Sequence, residues 1–171
     1  MSTSSFGATS DVDSKQGASD VRQLVVFRLS DGSYALDIQV VREINRLIDI
    51  TSVPKAPDFV EGIINLRGTI IPVVDLGLRF EMPRTEHSKD SRIVVVESEG
   101  HTLGLVVDEV SEVLRLSEEE IDPATNMTTT GINLDYVTGV GKVGERLILI
   151  LSPERLFTVE EKARLREITE N

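Results

Sequence analysis

Residues 60–76, VEGIINLRGTIIPVVDL, decide the fold class of this chain. Two apolar runs flank Asn65-Leu66-Arg67-Gly68. β-Branched residues dominate both runs and no three-four helical spacing survives, so each reads as a strand. The four middle residues read as a turn, with Gly68 free to take a positive φ. Pro72 has no backbone donor and belongs at an edge, a bulge or a strand end. Gly62 marks a bulge or a close approach of another backbone. Arg67 presents a rigid five-donor fork that suits carboxylates. On a solvated turn the fork either meets a partner or braces the turn through an intramolecular carboxylate.

Toward the N-terminus, residues 23–29 (QLVVFRL) form a strand closed by the turn Ser30-Asp31-Gly32-Ser33, and residues 34–38 are its hairpin partner. Residues 40–48 fit one helical turn or a bulged strand, and their β-branched content favours the strand. Residues 49–59, with Pro54 and Pro57, read as a loop. Residues 1–20 offer almost nothing to bury and read as a disordered tail.

Toward the C-terminus, residues 77–90 are a polar connector, and strands at 92–96 and 102–107 turn about Gly100. Residues 110–116 echo 40–48. Ser117 with Glu120 has the spacing of a capping box. Residues 122–134 form a Thr/Asn-rich loop, Gly139 to Gly144 reads as a tight turn, and residues 146–151 are the last strand. Ser152-Pro153 is a helix-start signal. Thr158 and Glu161 offer a second capping box, for a helix reaching Arg166 or Ile168 that must pack on the body of the protein.

The two halves resemble each other. Leu36, Val41, Glu43, Arg46 and Leu47 recur at a constant offset of 69, and Gly62, Ile71 and Phe80 recur at an offset of 77. A duplicated unit of short strands predicts an all-β protein of two packed five-stranded barrels with a short C-terminal helix. The expected division is a tail at 1–20, a first barrel at 21–86, a second at 87–157 and a helix at 158–171.

Composition excludes several functions. Cysteine and tryptophan are absent, so there is no disulfide, thiolate nucleophile or Cys-based metal site. No apolar run reaches membrane-spanning length and no leader pattern is present, which predicts a soluble, unexported protein. The formal charge of −11, from 29 acidic and 18 basic residues, repels phosphate backbones and argues against nucleic acid. His87 and His101 read as surface histidines outside any metal-ligand spacing. Acidic pairs such as Asp108-Glu109 and the run Glu118 to Glu120 lie on solvated faces, which argues against acid-base catalysis. The glycines at 139–144 lack the GK[ST] ending of a phosphate loop. A two-lobed β protein without such chemistry points to binding, with a partner helix laid in the cleft between lobes. The segments at 40–48 and 109–116 are candidate walls.

Residues 60–76 closely resemble the signature of the bacterial chemotaxis coupling proteins, the CheW family. The similarity runs from Gln23 to about Glu161 through YALDIQVVREI, EGIINLRGTIIPVVDL, LGLVVDEVSEVLRL and YVTGVGKVGERLILIL. The long N-terminal tail departs from the family pattern. The resemblance implies two SH3-like five-stranded barrels around a shared apolar centre, forming a CheW-like domain over 21–168. It implies a cytoplasmic adaptor without catalysis, cofactor or metal, recruited to receptor arrays at the inner face of the membrane. Its implied partners are the regulatory domain of a CheA-type histidine kinase, the cytoplasmic tip of methyl-accepting chemoreceptors, and other coupling proteins in array rings. The receptor groove would fall to Val41, Glu43, Ile44, Arg67 and Val113, and kinase contact to Val53, Phe59, Gly62 and Ile64. Asn65 and Gly68 would shape the hairpin. The same adaptor role in a non-flagellar array, controlling pili or another output, is the alternative.

Overall fold

A computed structural model describes residues 21–84, 86–123 and 134–170. The expected tail at 1–20 and most of the Thr/Asn-rich loop lie outside these. The described strands are β1 (Val21–Leu29), β2 (Gly32–Asp37), β3 (Val41–Arg46), β4 (Val60–Leu66), β5 (Thr69–Asp75), β6 (Arg92–Ser98), β7 (His101–Val107), β8 (Glu109–Ser117), β9 (Ile121–Pro123), β10 (Val137–Val143) and β11 (Arg146–Leu151). A short helix α1 (Leu76–Arg79) follows β5, and α2 (Val159–Glu170) closes the chain. One sheet runs β8-β1-β2-β11-β10-β9 and the other β3-β6-β7-β5-β4. Each is the wall of a small SH3-like barrel, so the all-β architecture is as expected. The first sheet has six strands because β9 adds to the outer edge of β10.

The two barrels do not divide the chain at residue 86. Strands β1 and β2 pair with β8 and β11, while β3, β4 and β5 belong with β6 and β7. Each repeat unit gives its first hairpin to one barrel and its remaining strands to the other. Parallel ladders join the exchanged parts, β11 on β2 and β5 on β7. The duplication is visible in register. Ile150 lies opposite Ala35 just as Val73 lies opposite Gly104. A bulge skips Arg42 in β3 and its counterpart Ser111 in β8. Another skips Glu61 in β4 and its counterpart Thr138 in β10.

Strands such as β1 and β6 are apolar on both faces because each lies between two cores. Leu24, Val26, Ala35, Leu116, Ile148 and Ile150 fill one barrel, and Ile64, Ile71, Val73, Ile93, Val95 and Val106 fill the other. The alternate residues, among them Phe27, Leu36, Val94, Val96 and Leu105, meet in a central core shared by both sheets. That core is capped by Leu156, Phe157 and Leu165. Fixed alternation along a pleated strand produces this arrangement once β1 and β6 are buried from both sides.

Local signals behave as polymer physics requires. The β4–β5 turn is tighter than four residues: Arg67 and Gly68 take φ of 53° and 90° between Leu66 and Thr69. Two successive positive φ values match the right-handed strand twist in a two-residue hairpin. Asn65 Oδ1 accepts from the Gly68 amide at 2.8 Å and holds the turn closed. Pro72 falls one residue before the ladder to β7 begins, so its missing donor forfeits no bond on that side. The Thr158–Glu161 box is formed in both directions, at 2.8 and 3.1 Å. Ser152-Pro153 starts only a single 3-10 turn. Gly139 and Gly141 lie inside β10, with the turn confined to the region of Gly144. A side chain at Gly141 would sit 2.7 Å from Leu116 Cδ1, so close packing explains that glycine.

Candidate partner-binding surface

Strand β3 is an edge of one sheet and β8 an edge of the other. Period-two alternation sends Val41, Glu43 and Asn45 inward and Arg42, Ile44 and Arg46 outward. Ile44 is 38% exposed and Val113, its counterpart in the second repeat unit, is 51% exposed. A large apolar side chain at the same outward position of both edge strands leaves two apolar points on the surface. Ile48, 42% exposed, extends the β3 side. Val41 packs partly against the central core, so its inner face is structural.

Arg67 has an internal acceptor. Its guanidinium grips both carboxylate oxygens of Glu43, with Nη1 to Oε1 at 3.2 Å and Nη2 to Oε2 as the second contact. Asn45 Nδ2 donates to Glu43 Oε1 at 3.1 Å. Glu43 comes from the first strand of the sheet order and Arg67 from the hairpin that ends it, so the pair joins the two edges of one barrel. The hydrogen bond from Arg67, and then that from Asn45, hold the Glu43 carboxyl below its ordinary range. The same bond from the other side holds Arg67 above its own. A carboxyl whose pKa falls on folding contributes in full above its unfolded value and loses that contribution as pH falls through the folded value. The pair is therefore intact at neutral pH. The Arg67 side chain remains 71% exposed, so one face of the fork is open.

Val53 is half-buried in the loop before β4. Phe59 is half-buried, its ring 5.7 Å from that of Phe157. Gly62 and Ile64 are both buried and present no side chain at the surface. Ile64 is 2% exposed and points into the barrel core. Gly62 is buried at φ +152°, with the Thr51 carbonyl oxygen 2.0 Å from where a Cβ would stand. Thr51 and Ile63 exchange backbone bonds of 2.9 and 2.8 Å across this approach. Gly62 thus sets the path of the chain into Val53, and its influence on the surface is indirect. The expected bulge and the expected close approach are both present at this glycine.

Two features escaped the sequence reading. Arg79 is nearly buried, with its guanidinium carbon 5.3, 4.9 and 5.7 Å from the ring centroids of Phe59, Tyr136 and Phe157. Its Nε donates to the Leu156 carbonyl at 2.7 Å and Nη2 to Glu161 at 3.0 Å. The available signal was a cation directly ahead of Phe80, in a chain with few aromatics. The second feature is an open cavity of about 200 Å³ between the start of β5, the β6–β7 hairpin and α2. Ile70, Leu103, Phe157 and Leu165 line it, and Lys162 and Glu99 form an ion pair of 2.8 Å at its edge.

The structure thus joins Glu43 and Arg67, sets Ile44 beside them on β3, and places Val113 on the other barrel. Among the described residues no helix is long and apolar enough to cross a membrane. His101 is exposed at the start of β7, as expected of a surface histidine. His87 is not free: its Nε2 lies 3.4 Å from Glu61.

Comparison with known proteins bears on this geometry directly. A family model described as the CheW-like domain matches residues 23–161. A chemotaxis protein CheW of Klebsiella aerogenes is 34% identical over 142 residues, covering 83% of this chain and 85% of its own. Its counterpart in Treponema pallidum is 35% identical over 147 residues, covering 84% and 86%. The crystal structure of the scaffolding protein TtCheW from Thermoanaerobacter tengcongensis superposes with a TM-score of 0.76 at 44% identity, covering 82% of this chain and 94% of the other. With match, coverage and barrel topology in agreement, this chain belongs to the CheW-like domain family, whose named relatives are chemotaxis proteins.

Proposed function

We propose that this protein is a non-catalytic adaptor that couples chemoreceptors to a CheA-type histidine kinase. The observation that carries the reading is the pair of outward apolar residues on equivalent edge strands, Ile44 on β3 and Val113 on β8. Beside Ile44 stands the half-open Arg67 fork. An amphipathic receptor hairpin presents apolar anchors at helical spacing together with carboxylates, which suits two aliphatic contacts and one guanidinium. Val41 and Glu43 support this surface from behind. Val53 and Phe59 form the kinase side, with Gly62 and Ile64 holding their backbone in place. Asn65 and Gly68 shape the turn that carries Arg67. The adaptor works beneath the membrane in receptor arrays, alternating with kinase regulatory domains and other coupling proteins.

Binding of the purified chain to a receptor hairpin-tip fragment and to the kinase regulatory domain, measured separately, tests the assignment. Arg67→Ala and Val113→Asp are each expected to weaken receptor binding at least tenfold while leaving kinase binding within about twofold, since central contacts dominate such interfaces. Circular dichroism should be unchanged, because both side chains are exposed. Full receptor affinity in both variants would remove this surface from the account. The kinase that binds also identifies the flagellar or non-flagellar output.

A further inference from the structure

Glu61, Asp75 and His87 converge where β4, the N-cap of α1 and the connector before β6 meet. One ligand-type atom from each lies within 4.8 Å of the other two. We propose that these three side chains bind one divalent transition-metal ion of the zinc class, with water completing the coordination.

Four observations support the site. Glu61 Oε1 is shielded from solvent and receives no hydrogen bond. Its charged neighbours, His87 Nε2 at 3.4 Å and Arg84 Nη1 at 3.5 Å, stand beyond good hydrogen-bond distance. A shielded carboxylate oxygen without a good hydrogen bond is costly, and a cation seated closer than these two neighbours would satisfy it. A carboxylate oxygen of Asp75 lies within 4.8 Å of one from Glu61, close enough that a cation between them is favourable. Asp75 is also preset in direction, since its Oδ1 accepts from the Leu78 amide at 3.1 Å. Finally, a cavity of about 20 Å³ adjoins Asp75 and His87, bounded also by Met82 and Asp108. One water needs roughly 10–15 Å³, so a solvent ligand fits.

The donor set selects the ion. One imidazole with two carboxylates and a water matches four-coordinate zinc, with bonds of about 2.0–2.2 Å. Calcium takes six to eight oxygens and magnesium an octahedral oxygen shell, which this set does not supply. Closing the ligands onto an ion requires them to draw together by about 1 Å. The movement falls to His87, which lies in no helix or strand, and Arg84, with its exposed side chain, swings away. A bound ion fastens the connector to the β4 bulge and the α1 cap, fixing the path from one repeat unit into the next.

The test uses the full chain, stripped with EDTA, titrated with zinc chloride by calorimetry and followed by thermal unfolding. One equivalent should bind, and a hundredfold excess over Kd should raise the midpoint by roughly 5–10 °C. His87→Asn and Glu61→Gln should each weaken binding at least tenfold, while His101→Asn should leave it unchanged. Magnesium chloride should produce no shift. Failure of the parent chain to bind zinc stoichiometrically overturns the proposal. So does binding that survives both ligand substitutions or depends on His101, and equal stabilisation by magnesium overturns the zinc-class assignment. None of the proposed partner-contact residues takes part, so this outcome is independent of the adaptor reading.

Discussion

Gly62→Ala is expected to destabilise the protein by about 3–5 kcal/mol, measured by chemical denaturation. Two costs coincide at this position. The backbone holds φ at +152°, where an L side chain is strained. The added Cβ would also stand 2.0 Å from the Thr51 carbonyl oxygen and 2.7 Å from its carbon. The obstacle is backbone, so no rotamer change relieves it. Either the two bonds between Thr51 and Ile63 break or the β4 bulge moves. Both displace Val53, so kinase binding should weaken with stability while Arg67 stays in place. A loss below 1 kcal/mol would mean that the segment around Thr51 does not cover the edge of β4 in solution.

Arg79→Ala is expected to cost about 3 kcal/mol and to loosen α2. Its guanidinium is nearly dry, faces three aromatic rings and ties the chain after β11 to the start of α2. Truncation leaves the Leu156 carbonyl and the Glu161 carboxylate without this donor and opens space beneath Phe59 and Phe157. Arg79→Lys restores charge without the planar fork and should recover only part of the loss. Hydrogen exchange is the sensitive readout. Amides of α2 should exchange faster in Arg79→Ala while those of β6, buried on both faces, keep their protection. Unchanged exchange in α2 would show that Leu165 and its apolar neighbours hold the helix by themselves.

The elements were legible because β-branched alternation, turn residues and capping boxes all act locally. The β4–β5 hairpin, the bulge at Gly62 and the box at Thr158 are of this kind. The exchange of strands between barrels was not legible, and duplication is the reason. Strands β3 and β8 carry the same apolar pattern and the same bulge, so β1 meets an equally suitable partner in either. Which one it takes depends on the turn at Ile38–Val40 that leads β3 into the other sheet, a three-dimensional choice with no periodic signature. Ile64 was assigned to kinase contact by family resemblance, and alternation alone does not tell the inner face of β4 from the outer. Arg67 was legible as a residue needing a carboxylate, but Glu43 as that carboxylate required the barrel to close. The Glu61–Asp75–His87 cluster combines a bulge, a helix cap and a connector, so its members share no sequence spacing.

In the proposed adaptor, one chain holds receptor and kinase at the same time, on separate faces. Sedimentation velocity on the chain mixed with the receptor hairpin-tip fragment and the kinase regulatory domain tests this most directly. A ternary boundary heavier than either binary complex is expected, reduced to the kinase binary complex when Arg67→Ala replaces the parent chain. Mutually exclusive binding of the two partners, or a ternary boundary that ignores Arg67→Ala, would contradict it.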